Sequence, residues 1–183
     1  NFYAFRFAQG NAHLYGVEAN IDLHPHPLDG LHVENTISYV KGRFDQAVDG
    51  SYNLPGIPPL RWLSELRYEL QRKAKANSTL KNTFFSVQMD NVSSQENAFV
   101  GYNTETTTPG YTLFNASMGT QITNSKGRQI CAISINAQNI TDVAYQNHLS
   151  RLKYEEMNYA SGQRGVWNMG RNLSIKLIVP FSS

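Results

Sequence analysis

Long apolar runs are missing from this chain. No stretch of about 18 consecutive apolar residues occurs, so no helix built from the sequence could cross a bilayer. Cysteine is almost absent as well: Cys131 stands alone, which excludes an internal disulfide and leaves it a small packing residue. Neither sign of charge dominates, with 16 Lys and Arg set against 14 Asp and Glu. The basic run Arg72-Lys73-Ala-Lys75 is too short to form a phosphate-gripping stripe, so nucleic-acid binding has no support. There is no glycine-rich phosphate loop and no nucleophile elbow, and catalysis is not expected.

What the chain does have is parity. In residues 168–181, Met169, Leu173, Ile175, Leu177, Val179 and Phe181 share one face, and Asn168, Asn172, Ser174 and Lys176 the other. Such a stretch exceeds the roughly 5–6 residues of an ordinary soluble strand. It suits the roughly 9–11 residues that a tilted strand needs to cross a bilayer. In residues 60–72, Trp62, Ser64, Leu66, Tyr68 and Leu70 alternate with Arg61, Leu63, Glu65, Arg67, Glu69 and Gln71. Residues 15–23 and 31–39 follow the same rule, with Asn35 an exception on the apolar side. Shorter alternations run through Phe85, Val87 and Met89, through Phe114 to Ile122, through Cys131 to Ala137, and through Tyr3, Phe5 and Phe7. About eight antiparallel strands are predicted, with boundaries good to a few residues.

A soluble antiparallel sandwich also alternates, so strand length and connections carry the distinction. Long links at 43–56, 91–110 and 143–165 alternate with short ones at 25–30, 73–79 and 124–128. Long and short ends therefore segregate to opposite sides of the sheet, as in an outer-membrane barrel with short periplasmic turns and longer extracellular loops. The short links carry turn chemistry, as in Pro27-Leu-Asp-Gly30, Asn77-Ser-Thr79 and Asn124-Ser-Lys-Gly127. The expected fold is all-β: the carboxyl-terminal portion of an antiparallel up-and-down transmembrane β-barrel. Trp62, Trp167, Tyr39, Tyr68 and Tyr111 are candidates for its interfacial girdles.

Asn1-Phe-Tyr-Ala-Phe-Arg-Phe7 reads as the inside of a strand, without an export signal, so residues 1–183 are expected to be one segment of a longer protein. Several motifs resemble the last third of the barrel in TonB-dependent outer-membrane receptors, those of the Bacteroidetes in particular. They are Leu14-Tyr-Gly16-Val-Glu18, Leu54-Pro-Gly-Ile-Pro58-Pro59-Leu-Arg61, and the pair Tyr111-Thr-Leu113-Phe-Asn115 and Asn139-Ile-Thr-Asp142-Val-Ala-Tyr145 with His148. Gly170-Arg-Asn172 leading to Phe181 is similar to the family's terminal strand, although Ser182 and Ser183 follow it. The resemblance implies a Gram-negative outer membrane, a plug domain and TonB as partners, and import of a scarce nutrient such as a ferric siderophore, cobalamin or a glycan. A small free-standing barrel acting as an adhesin or structural protein, and a soluble carbohydrate-binding sandwich, remain open as alternatives.

No catalytic, cofactor or metal site is expected. His24-Pro-His26 has same-face spacing on an extended chain, but the sequence offers no third ligand at useful spacing. Arg61, Glu65, Arg67 and Glu69, with Glu18, Asp22, Glu34 and Lys176, are expected to face the interior and pair with one another or with a plug. Glu155 and Glu156 are expected to form a solvated cluster with Arg151 or Lys153. Tyr102, Tyr145, His148, Arg151, Tyr154 and Tyr159 populate the long loops, where a ligand would be met, and no substrate-binding residue is assigned.

Overall fold

The computed structural model of the chain describes residues 10–70, 79–160 and 162–180. In chain order its strands are β1 (Ala12–Leu23), β2 (Leu31–Val48), β3 (Ser51–Asn53), β4 (Arg61–Glu69), β5 (Leu80–Val92), β6 (Tyr111–Thr123), β7 (Gln129–Gln138), β8 (Met157–Asn158), β9 (Gln163–Arg164) and β10 (Asn172–Ile178). The main sheet runs β1-β2-β4-β5-β6-β7-β10, with β3 beside β2, and every pairing is antiparallel. Strands β8 and β9 form a separate small hairpin. The expected strand through Tyr3, Phe5 and Phe7, most of the short link 73–79, and Phe181 lie outside the described residues.

Register explains the parity. Leu23, Val33, Leu66, Val87, Ala116, Ala137 and Leu173 are cross-strand neighbours in one unbroken row over seven strands. A second row holds Leu31, Tyr68, Phe85, Met118, Ile135 and Ile175. On the opposite face a polar row joins His32, Arg67, Ser86, Ser117, Asn136 and Ser174. A slip of one residue in any pair would put apolar side chains into the polar row, which is why alternation this long fixes register.

The apolar face is uncovered. Val17 and Leu173 are each 67% exposed and Ile175 is 70% exposed, and among the described residues the only other sheet is the β8–β9 hairpin. The apolar side chains that are buried, Val92, Ala98, Phe99 and Leu113, belong to the strand ends and the long link between β5 and β6. This arrangement is not a sandwich. Nor is it a closed small barrel among the described residues, where β1 pairs only with β2 and β10 only with β7.

Two strands depart from the sequence expectation. Strand β2 continues to Val48 instead of stopping near Tyr39, because its far half pairs with the start of β1 and with β3. Past Tyr39 its two faces exchange character: Lys41, Arg43 and Asp45 now stand on the side that held Ile37 and Tyr39, while Val40, Gly42 and Phe44 take the other. Strand β10 begins at Asn172, later than residue 168, because Asn168 and Gly170 are used by the preceding loop. Asn168 N–H donates to the Tyr145 carbonyl at 3.0 Å, and a Cβ on Gly170 would lie 2.6 Å from Asp142 Oδ1. Gly16 is similarly crowded, 2.6 Å from the Tyr39 carbonyl. Close approach therefore accounts for both glycines.

Candidate ligand-facing site

The long links β2–β4, β5–β6 and β7–β10 gather at one end of the sheet and build on one another. Glu105, in the β5–β6 link, is their junction. Its Oε1 accepts Gly56 N–H at 2.9 Å and its Oε2 accepts Phe99 N–H at 2.8 Å. Asp49 accepts Tyr102 N–H, Asn53 donates to the Ala98 carbonyl, and Gln95 donates to the Ile57 carbonyl at 2.9 Å. Phe44 meets Phe99 edge-on with centroids 6.0 Å apart.

The β7–β10 link adds a buried polar cluster. His148 is only 4% exposed, and its Nδ1 lies 2.8 Å from Thr108 Oγ1 and 3.3 Å from Lys153 Nζ. Both neighbours can donate, so the imidazole accepts at Nδ1 and carries its proton on Nε2. That nitrogen has no hydrogen-bond partner and points toward Glu105 Oε1 at 3.7 Å. Desolvation, aided by the Lys153 ammonium and opposed by Glu105, lowers the His148 pKa below its ordinary 6.5. Lys153 is buried, with Nζ 3.4 Å from the Thr106 carbonyl, and so does not join the solvated cluster expected around Glu155 and Glu156. Tyr154 OH accepts Thr106 N–H at 3.2 Å.

Beneath the loops, on the polar face, lies a cleft of about 450 Å³. Its floor is the bidentate pair of Arg61 and Asp90, with Nε and Nη2 each 2.8 Å from a carboxylate oxygen. One wall is Tyr111 against Tyr145, with ring centroids 4.3 Å apart. Asn147, Asn168, Pro58 and Pro59 complete the rim. A smaller cleft of about 270 Å³ sits between loops, lined by Pro55, Glu105, His148, Arg151 and Tyr154 among others.

Lower on the same face the polar side chains satisfy one another. Gln88 donates to Glu65 at 3.1 Å, Asn115 donates to Gln88 at 3.0 Å, Ser86 and Ser117 share a hydrogen bond at 2.7 Å, and Arg67 holds Glu69 at 3.0 Å. Of the interior charges expected to pair with one another, Arg67 and Glu69 do so, whereas Arg61 pairs with Asp90 and Glu65 accepts from the neutral Gln88.

The two motifs singled out in the sequence meet residue by residue. Asn115 Oδ1 accepts Asn139 N–H at 2.9 Å, and Tyr111 packs against Tyr145 with the rings tilted by 39°. Asn139, at φ 47°, ties its own side chain to both N–H and C=O of Val143 at 2.9 Å, closing a tight loop. Asp142 accepts Arg171 N–H at 2.8 Å, so it anchors the entry to β10. A family model described as TonB dependent receptor-like, beta-barrel, matches residues 1–140. The chain belongs to the TonB-dependent receptor β-barrel family. No curated protein matches the sequence. Among solved structures, this chain is similar to the copper transporter OprC, at a TM-score of 0.73 and 18% identity. The likeness covers 94% of the chain but 24% of OprC.

Tyr145, His148, Arg151 and Tyr154 line the clefts, whereas Tyr102 and Tyr159 are 65% and 93% exposed. Tyr111 lies on the polar face in the larger cleft and so does not sit on the apolar face where a girdle belongs, and Trp167 lies in the β7–β10 link. Asp90 and Glu105 were not singled out. Asp90 carries a parity signal as the partner of an inward Arg, but Glu105 sits in Thr104-Glu-Thr-Thr-Thr108, a run without periodicity.

Proposed function

We propose that this chain is part of the wall of an outer-membrane receptor that imports a scarce nutrient in a TonB-dependent manner, in a Gram-negative bacterium. The supporting observation is the two-faced sheet in a member of this family: an uncovered apolar row seven strands wide, backed by polar rows that hydrogen-bond among themselves. Such a sheet is stable where hydrocarbon meets one face and an enclosed polar interior the other. Trp62, whose Nε1 donates to Asn35 Oδ1 at 3.2 Å on the apolar face, suits an interfacial position because its one polar atom is satisfied within the protein. This also accounts for Asn35, the one amide that broke the parity.

The edges at β1 and β10, which end the sheet among the described residues, are read as sites where further strands of a larger barrel attach, with a plug domain filling the interior and TonB supplying the work. The loop end faces outward. Cargo would be met in the cleft below the loops, where the Tyr111–Tyr145 pair offers an aromatic surface and Arg61, Asp90, Asn147 and Asn168 offer polar contacts. Its volume falls in the usual range for small-ligand sites. A polar ligand with a flat ring face, such as a siderophore or a sugar, fits those contacts best. OprC carries copper, so a metal-ion cargo belongs in the test.

The test is uptake in cells producing the intact receptor, with ferric siderophores, cobalamin, oligosaccharides and copper supplied in turn. One cargo should accumulate only with functional TonB, and Tyr145→Ala should reduce its uptake at least tenfold at unchanged receptor abundance. TonB-independent uptake, or a Tyr145→Ala receptor that transports normally, would refute the reading.

A further inference from the structure

At the opposite end of the wall from the loops, the hairpin joining β1 to β2 assembles three potential ligands that the sequence separates. Asp22 ends the polar parity of β1, His24 follows the last strand residue, and His32 returns on β2. Their ligand atoms all lie within 4.8 Å of one another. His24 Nε2 is 3.0 Å from Asp22 Oδ2, and the His24 and His32 rings meet edge-to-face with centroids 4.6 Å apart. Sequence spacing suggested His24 with His26, but His26 turns to Asp29, with Nδ1 2.6 Å from Oδ1.

The geometry points to a binding site for a borderline divalent cation of the first transition row, held by Asp22, His24 and His32. Two imidazoles and a carboxylate are the donor set that zinc and copper prefer, and they leave a fourth position open. Donors on a tetrahedral ion with bonds of about 2.0 Å lie about 3.3 Å apart, so closure from within 4.8 Å needs at most about 1.5 Å of approach between any two. The backbone is already set, because Leu23 pairs with Val33 at the neck of the hairpin. Among the described residues the surrounding charge favours a cation. Glu34 is the direct cross-strand neighbour of Asp22, and Glu65 is the neighbour of Glu34. Arg67 is the one cation opposite His32 in register, and it is engaged by Glu69 and lies over the Phe84 ring, 3.9 Å from its centroid.

The site can be read without any uptake measurement. The intact receptor, stripped of metal by chelation and held in detergent, is titrated with Zn²⁺ alone by calorimetry at pH 7.5. A saturable site should appear, weakened at least tenfold by His24→Ala and by His32→Ala and unchanged by His26→Ala. With Cu²⁺ alone, the spin-resonance spectrum of the unaltered receptor should show two coordinating nitrogens, a readout that does not depend on any variant folding. Absence of a saturable site, retention of full affinity by His32→Ala, loss in His26→Ala, or a spectrum with oxygen ligands alone would each overturn the assignment.

Discussion

The apolar row can be tested with two neighbouring residues of one strand. Ile135 lies in the second apolar row of β7, between Met118 and Ile175, while Ser134 projects to the polar face between Gly119 and Lys176. Both are mid-strand, so depth is held constant and only the face differs. With a rise of about 3.4 Å per residue and a tilt of about 45°, a strand the length of β5 covers about 30 Å, which is the hydrocarbon thickness. Ile135→Arg then places a guanidinium near the midplane at a cost of about 2–4 kcal/mol. Ser134→Arg meets a wet interior and should cost under about 1 kcal/mol. Each 1.4 kcal/mol is tenfold, so the two unfolding equilibria should differ by roughly one to three decades. Reversible guanidinium titration of the intact receptor in thin-bilayer liposomes, followed by tryptophan fluorescence, measures both. On a water-facing surface Ile135→Arg would fall within about 0.5 kcal/mol of neutral, and equal costs for the pair would refute the lipid-facing assignment.

The exchange of faces along β2 predicts where the apolar layer ends: nitroxides at Ile37 should be relaxed by oxygen, and those at Lys41 and Arg43 by a water-soluble nickel chelate, with uniform oxygen access along the strand counting against it. Glu105→Gln leaves one of its two backbone donors, Gly56 or Phe99, without an acceptor, which should cost about 1–3 kcal/mol locally. Faster hydrogen exchange at those two amides, with strands β4 to β6 unaffected, is the expected result. The loop cluster should also loosen in acid. The folded pKa of His148 lies below its unfolded value, so its neutral form contributes full stability above about pH 6.5, and that contribution is lost as pH falls through the folded value. Limited proteolysis in the 143–165 link should accelerate over that window in the unaltered receptor and lose this acid step in His148→Gln; a flat profile in the unaltered protein would exclude the mechanism.

The sheet was legible because parity is a two-valued signal repeated over seven strands, and register multiplies it. Each strand alone is ambiguous, but Leu66, Val87 and Ala116 cannot all face one side unless β4, β5 and β6 are paired as they are. The loops lack such a code. Glu105, Asp49 and Gln95 bond mainly to backbone atoms far along the chain, and no spacing announces a partner some 50 residues away, as with Asp49 and Tyr102. The same blindness hid the neighbour of His24, since His32 comes from the returning strand.

The end of β2 at Tyr39 was the one misreading of the sheet that carries its own lesson. Alternation of apolar against polar on fixed sides ends there, because Lys41, Arg43 and Asp45 stand on the side of Ile37 and Tyr39. The strand in fact goes on while its surroundings change. Asp45 Oδ1 lies 2.9 Å from His13 Nε2 of β1 on the formerly apolar side, an exposed polar contact suited to water and not to hydrocarbon. On the other side Phe44 packs on Phe99, and Gly42 leaves room for Leu54 and Ile57, whose methyl carbons would lie 2.6 and 2.9 Å from a Cβ there. One face has left the apolar layer just as the other has met the loop cluster. An inversion of parity within an unbroken strand therefore marks the height at which the wall leaves hydrocarbon and its inner surface becomes the foundation of the loops.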